Sequence, residues 1–187
     1  MRFHTHLTIK RYKEQDPKKV AAYLEQIKDI DPNKIAYIDE TGMDTFLYRE
    51  YAYAKRGEKV IGHICGKKYR RVGIVAAQID KSILAPLQYD GTMDSCLFET
   101  WFENRLMCEL PSGCAIVMDN AAFHRKGRLA LIANNHGHTI IFLPPYSPEF
   151  NPIENFWAWL KGRLKSILPQ FDCFDDALCH CFMWIWL

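Results

Sequence analysis

The chain has 187 residues, 49% of them hydrophobic, so it is long enough for one full domain core and is not a disordered tail. Lys and Arg number 24 against 22 for Asp and Glu, a formal charge of +2, so any affinity for nucleic acid has to come from where the charges sit rather than from their sum. No apolar run approaches the roughly 20 residues of a membrane span, and seven cysteines without a regular framework, behind a start that does not read as a signal peptide, point to a reducing cytosol.

Residues 1–15 are polar and basic without a period. Asp16-Pro17 opens a short helix with Val20, Leu24 and Ile27 on one face, and Asp31-Pro32 closes it. Residues 1–33 are therefore expected to be a lead-in segment with one helix. Lys34 to Asp39 reads as a strand buried on both faces, hence from the middle of a sheet, with a turn expected at Glu40-Thr41-Gly42. Residues 44–64 look extended around a glycine-broken loop. Val72 to Ile79 and Ser82 to Tyr89 form a hairpin across Asp80-Lys81. Met93 to Leu110 is helical, ended by Pro111-Ser112-Gly113. Cys114 to Asp119 is a second strand ending in Asp, Arg125 to His136 a helix with Leu129, Ile132 and Ala133 inward, and Thr139 to Leu143 a further strand.

The stretch Leu143-Pro144-Pro145-Tyr146-Ser147-Pro148-Glu149-Phe150-Asn151-Pro152 cannot form regular structure, because each proline fixes φ and biases its predecessor towards extended geometry. A helix follows, with Ile153, Phe156, Trp157, Leu160, Leu164, Ile167 and Leu168 on one stripe. Asn151 reads as its N-cap and Pro152 as its first residue, which leaves Glu154 either as a capping-box glutamate or as a carboxylate presented at a helix N-terminus. Residues 169–187 read as a C-terminal helical tail. It is polar at Asp172, Asp175 and Asp176, and it ends in the apolar run Phe182-Met183-Trp184-Ile185-Trp186-Leu187, either a packed helix or an unsatisfied terminus. Hairpin strands followed by alternating helix and strand predict an α/β fold, a mixed sheet with helices on both faces.

Asp39 and Asp119 each close a buried strand. If those strands are parallel neighbours, both carboxylates reach one sheet edge about 5 Å apart in strand spacing, the edge where ligands of α/β sheets collect. With Glu154 they make three acids facing one point, which raise one another's pKa unless a hard divalent cation is present. All-oxygen ligands suit Mg²⁺ or Mn²⁺. Two such ions about 4 Å apart serve phosphoryl transfer. Each Asp taken singly is also an ordinary turn former.

Three blocks carry a family resemblance: Asp39-Glu40-Thr41-Gly42, Met118-Asp119-Asn120-Ala121-Ala122-Phe123-His124, and Leu143-Pro144-Pro145-Tyr146-Ser147-Pro148 with Asn151-Pro152-Ile153-Glu154. With 34 residues between Asp119 and Glu154, they resemble the signature blocks of the DDE superfamily endonuclease domain in the bacterial insertion-sequence branch of the Tc/mariner superfamily. The resemblance covers residues 34–168, the expected catalytic domain. It implies an RNase H-like five-stranded fold, and Asp39, Asp119 and Glu154 as catalytic metal ligands for two Mg²⁺ or Mn²⁺ ions per site. It also implies DNA transposition by cleavage and 3′-hydroxyl strand transfer. The implied partners are double-stranded DNA, both element ends and target, and a second copy in a homodimer. Because residues 1–33 do not resemble the family's helix-turn-helix modules, a separately encoded helix-turn-helix partner is implied as well. The location implied is the bacterial cytosol and nucleoid. Another RNase H-like nuclease and a non-catalytic DNA-binding remnant of a mobile element are the alternatives.

Supporting groups follow. Asn120 is expected to hold the Asp119 loop or a water, and His124 either to touch the scissile phosphate or to be structural. Lys67, Lys68, Arg70 and Arg71 either track phosphates or cover a solvated hairpin. Arg125, at a helix start where a cation opposes the dipole, favours an anion nearby. Lys161 and Lys165 lie on the Glu154 side of the last long helix, as DNA contacts or as a wet face. Glu40 points away from Asp39 and is excluded. Cys173, Cys179, His180 and Cys181 lack zinc-knuckle spacing.

Overall fold

The computed structural model describes residues 12–45, 54–59, 61 and 70–183. Lys67 and Lys68, most of the extended 44–64 region and the terminal Trp184 to Leu187 lie outside the described residues.

The sheet is mixed and five-stranded, ordered β3-β2-β1-β4-β5. β1 (Ile35–Asp44), β2 (Arg71–Ile79) and β3 (Ser82–Asp90) form an antiparallel meander. β4 (Ala115–Met118) and β5 (Thr139–Phe142) continue it in parallel from the other side of β1. Each parallel step uses a helical crossover, as parallel pairing requires. After the meander, β3 leads back across the sheet to β4 through α2 (Ser95–Trp101), a π-helical turn at Phe102–Leu106 and α3 (Met107–Glu109), which sets β4 beside β1. β4 reaches β5 through α4 (Lys126–Asn135).

The turn expected at Glu40-Thr41-Gly42 does not form. β1 runs on to Asp44 because its ladder with β2 continues from Tyr37↔Gln78 to Asp44↔Arg71. Its parallel ladder with β4 stops earlier, at Tyr37↔Val117. Asp39 is thus inside a strand, at the level where the neighbouring strand has ended and Asp119 follows.

Strand alternation sorts the core into two layers. On one face Ala36, Ile38, Val75, Ala77, Ile116 and Met118 pack against Phe98, Trp101, Phe102 and Leu106, and against Leu129, Ile132 and Ala133 of α4. On the other, Val72, Ile74, Ala76 and Ile83 meet Ile153, Trp157, Leu160, Leu164 and Ile167 of α5 (Ile153–Ile167). Phe174, Ala177, Leu178 and Cys181 of α6 (Phe174–Met183) complete that layer. α1 (Pro17–Ile27), capped by Asp16 through the Lys18 N–H, lays Tyr23 on Val117 and Leu143, next to β5. At Gly73 a Cβ would fall 2.1 Å from the ring of the cross-strand residue Tyr89, so that position has room only for hydrogen.

Candidate active site

Three elements bring Asp39, Asp119 and Glu154 to one cavity of about 760 Å³, walled by Asn120, Ala121, Leu143 to Pro148, Asn151 and Tyr12. Asp39 comes from mid-β1, Asp119 from the residue after β4, and Glu154 from the first turn of α5.

Asp39 is half-buried on the α5 side of the sheet, and the buried Trp157 donates its indole N–H to Asp39 Oδ2 at 3.1 Å. Burial first, then the charge of Glu154 and more weakly that of Asp119, pushes the Asp39 carboxyl up to about 7. Asp119 goes the other way. Its Oδ1 accepts the Ala121 N–H at 3.0 Å and lies 3.2 Å from His124 Nε2, and the His124 contact above all holds it below the usual carboxylate range. Two acids of one cavity are therefore driven apart in proton affinity by their surroundings.

His124 is buried between the rings of Phe98 and Phe123, at centroid distances of 4.3 and 4.2 Å, and does not line the cavity. Its contact is Asp119, not open solvent. Asn120 does line the cavity. Its Nδ2 donates to Leu143 O at 2.8 Å and its Oδ1 accepts from Lys126 Nζ at 2.6 Å, tying the end of β4 to the end of β5.

The capping-box alternative for Glu154 fails. The Asn151 N–H is already donated to Pro148 O at 2.9 Å, and α5 starts at Ile153 without a side-chain cap. A 3-10 turn at Pro148–Phe150 takes up the donor that a capping glutamate needs, so the exposed Glu154 carboxylate has no capping bond.

The basic residues divide. Arg70 is bound to Asp90 (2.7 Å) and to Asp175 of α6 (3.1 Å), and Arg125 makes a two-pronged pair with Glu99 at 2.6 and 2.7 Å. For both, the counter-charge is inside the chain. Arg71 is exposed and lines a separate cavity with Glu40, Gly73 and Tyr89. Glu40 does face the layer opposite Asp39, and burial, then the charges of Asp39 and Asp119, lifts it to about 8. Lys161 and Lys165 are half-buried on α5.

Sequence reasoning missed three site residues. Trp157 reads only as a member of the apolar stripe, although a buried indole N–H needs an acceptor and so signals a polar neighbour. Tyr12 and Gln15, far from the motif blocks, give no local signal.

The donors present are carboxylate oxygens gathered at one cavity whose wall is otherwise mostly apolar, and Asp39, half-buried beside Glu154, is an acid that a cation would hold ionised. In kind they fit a hard divalent ion. Among the described residues no three His, Cys, Asp or Glu side chains are gathered around one point; the Asp39 carboxylate is bonded to Trp157, and that of Asp119 to Ala121 and His124.

The fold and the acidic cavity define an RNase H-like domain. The chain belongs to the DDE superfamily endonuclease family, whose profile matches residues 34–177. An uncharacterized protein of Sinorhizobium fredii is 37% identical over 71 residues, which cover 35% of this chain and 46% of that protein. The transposable element Tcb1 transposase of Caenorhabditis briggsae is 31% identical over 81 residues, covering 41% and 30%. The chain thus spans less than half the length of these curated relatives. Among solved structures, the Mos1 transposase paired-end complex with left transposon end shares the fold at TM-score 0.73 and 13% identity, covering 99% of this chain and 60% of that one. The catalytic domain of Mos1 mariner transposase does so at 0.65 and 12%, covering 96% and 85%. No helix among the described residues is long and apolar enough to cross a membrane.

Proposed function

We propose that this chain is the catalytic domain of a DDE transposase, cutting DNA at the ends of a mobile element and joining the freed ends to target DNA. The observation that carries the reading is that Asp39, Asp119 and Glu154, distant in sequence, line a single cavity where β1 and β4 part and α5 begins.

In this reading Asp39, Asp119 and Glu154 would hold two Mg²⁺ or Mn²⁺ ions, which would supply charge neutralisation at the phosphodiester and activation of the attacking oxygen. The chain's own residues do the rest. Ala121 N–H and His124 fix the Asp119 carboxylate, Trp157 fixes that of Asp39, and Asn120 locks the two strand ends on which the site stands. In the first reaction a water oxygen bonds to phosphorus and the P–O3′ bond breaks, leaving a 3′-hydroxyl. In the second, that hydroxyl attacks a target phosphodiester, one P–O bond replaces another, and the departing target oxygen takes the proton. One site serves both, because only the attacking oxygen changes.

Lys161 and Lys165 on α5 are proposed to contact the DNA backbone. Lys19 and Lys126 join them: they line an adjacent cavity that shares the Asn120-Leu143-Pro144-Pro145 wall with the acids. Exposed cations beside an acidic cavity give phosphates a path to it. A complex on paired DNA ends is proposed by likeness to the Mos1 paired-end complex, and a homodimer within it and membership of the bacterial insertion-sequence branch are proposed from the resemblance of the motif blocks. A separately encoded helix-turn-helix partner and a cytosolic location belong to the same reading. So does the division into a lead-in at 1–33, a catalytic domain at 34–168 and a tail at 169–187.

The test is nicking of supercoiled plasmid by the purified chain. Nicking is expected in Mn²⁺ or Mg²⁺, not in chelator, and at least about 100-fold slower for Asp119→Ala. An Asp119→Ala variant that nicks at full rate removes the assignment. Faster cleavage of an RNA–DNA hybrid than of duplex DNA identifies a ribonuclease instead.

A further inference from the structure

The mouth of the acidic cavity carries two tyrosine rings that the reaction scheme above does not use. Tyr12 and Tyr146 both line the cavity with Asp39, Asp119 and Glu154, and each is 57% exposed. Their ring centroids are 6.2 Å apart and the planes are tilted by 42°. Tyr23, by contrast, is buried in the core, and Tyr37 and Tyr89 are half-buried.

The chain goes to some length to hold this pair. Tyr146 sits at φ +58°, a left-handed conformation unusual for an aromatic residue. Strain of this kind persists only where surrounding contacts over-determine it, and it clusters at ligand sites. Here the contacts come from the segment before α1. The Gln15 side-chain amide donates to Ser147 Oγ at 2.8 Å, to Glu149 Oε1 at 2.6 Å and, at 3.5 Å, to Tyr146 O. The Gln15 backbone N–H closes a turn onto Tyr12 O at 3.2 Å. One residue thus fixes the proline-rich loop and brings Tyr12 over it.

We propose that Tyr12 and Tyr146 form a stacking platform for an unpaired nucleobase next to the scissile phosphate. The proposal rests on the transposase reading for its ligand class. Two exposed faces of π-systems beside a phosphodiester-cleaving cavity suit the planar bases that flank the phosphate, and stacking tolerates any base. Because the two rings are tilted, they do not form a parallel slot, and the base lies on their outward side. Tyr12, held by the Gln15 turn, is then part of the active-site wall.

The experiment uses the full chain and a duplex with a single-stranded overhang whose first unpaired base is 2-aminopurine, titrated in Ca²⁺ with fluorescence as the readout. The wild type is expected to quench the probe. Tyr12→Ala and Tyr146→Asn, the latter chosen because Asn tolerates positive φ, are each expected to abolish quenching and weaken binding at least about fivefold. Tyr12→Phe is expected to retain both, since the ring and not the hydroxyl stacks. Thermal midpoints of the variants are compared with the wild type, so a misfolded variant is recognised and replaced by the other position. A wild type that does not quench, or a folded Tyr12→Ala that quenches and binds as the wild type does, overturns the proposal. Tyr12-dependent quenching without plasmid nicking in Mn²⁺ keeps the platform and sinks the nuclease reading. Asp119-dependent nicking with full quenching by Tyr12→Ala does the reverse.

Discussion

Asp39 and Asp119 are the same side chain in one cavity, yet their environments sort them into different roles. Asp39 is half-buried on the sheet and lifted to about 7, whereas Asp119, at the open strand end, is kept ionised by His124 and a backbone N–H. Near neutral pH, without a cation, Asp119 is a carboxylate, whereas Asp39 holds its proton far more tightly than an ordinary aspartate. The Trp157 indole N–H favours the charged form of Asp39 and so restrains its rise. Trp157→Phe keeps an aromatic ring in the α5 layer but deletes that donor. It is expected to move the acidic limb of the pH–rate profile for Mn²⁺-dependent nicking to higher pH, with a loss of rate at pH 7 that recovers by about pH 9. A rate lowered equally at every pH would mean that the ring only packs.

At the scale of elements, the helical connection from β3 to β4 is pinned to the sheet at one irregular strand position. Ala85, in the middle of β3, has φ +49°, and the β2–β3 register shifts between Val75 and Ala77. Its backbone is turned out of the ladder towards the helical layer. The Ala85 N–H donates to Glu109 Oε2 at 2.7 Å, and its carbonyl accepts the Trp101 indole N–H at 2.7 Å. The bulge thus docks α2 and α3 on the sheet, and that helical layer also carries Phe98, against which His124 rests. Trp101→Phe leaves the Ala85 carbonyl buried without its donor. It is expected to destabilise the protein by about 1–3 kcal/mol in urea unfolding, whereas a change within error would mean that the carbonyl finds another partner.

For the whole molecule, two neighbouring carboxyls on opposite faces of β1, Asp39 in the site and Glu40 behind it, load the fold with proton-linked instability. Asp39 at about 7 and Glu40 at about 8 both lie above their ordinary values, chiefly through burial. The folded chain therefore holds protons that the unfolded chain has released. This contribution to stability is complete below about pH 4 and is lost as pH rises through 7 to 8. His138, pushed down by burial, opposes it with one group against two. In chelator the thermal midpoint is expected to fall from pH 5 to pH 8. Mg²⁺ or Mn²⁺ is expected to raise it more at pH 8 than at pH 6, because the ions compete with protons for the same oxygens. A midpoint that climbs with pH in chelator would show that these two carboxyls ionise freely in the folded state.

The sequence alone determined what depends on neighbours in the chain. Alternation located the strands, the apolar stripe located α5, and the prolines located the loop that delivers Glu154. The motif blocks around Asp39, Asp119 and Glu154 pointed to the family that the match over residues 34–177 establishes. What lay beyond it was decided by which segments meet. β1 continues past Asp39 because β2 is there to pair with it, and Asp119 comes level with Asp39 because β4 runs parallel and stops short. The loop before α5 takes the Asn151 N–H that a capping glutamate would have used. Arg70 and Arg125 read as available cations until Asp90, Asp175 and Glu99 arrive from other elements. Trp157 finds Asp39, and Tyr12 and Gln15 find the loop at 146–149, across sequence distances that no local pattern records. A hydrogen bond or a pKa is a property of the space around a group, and only the folded chain creates that space.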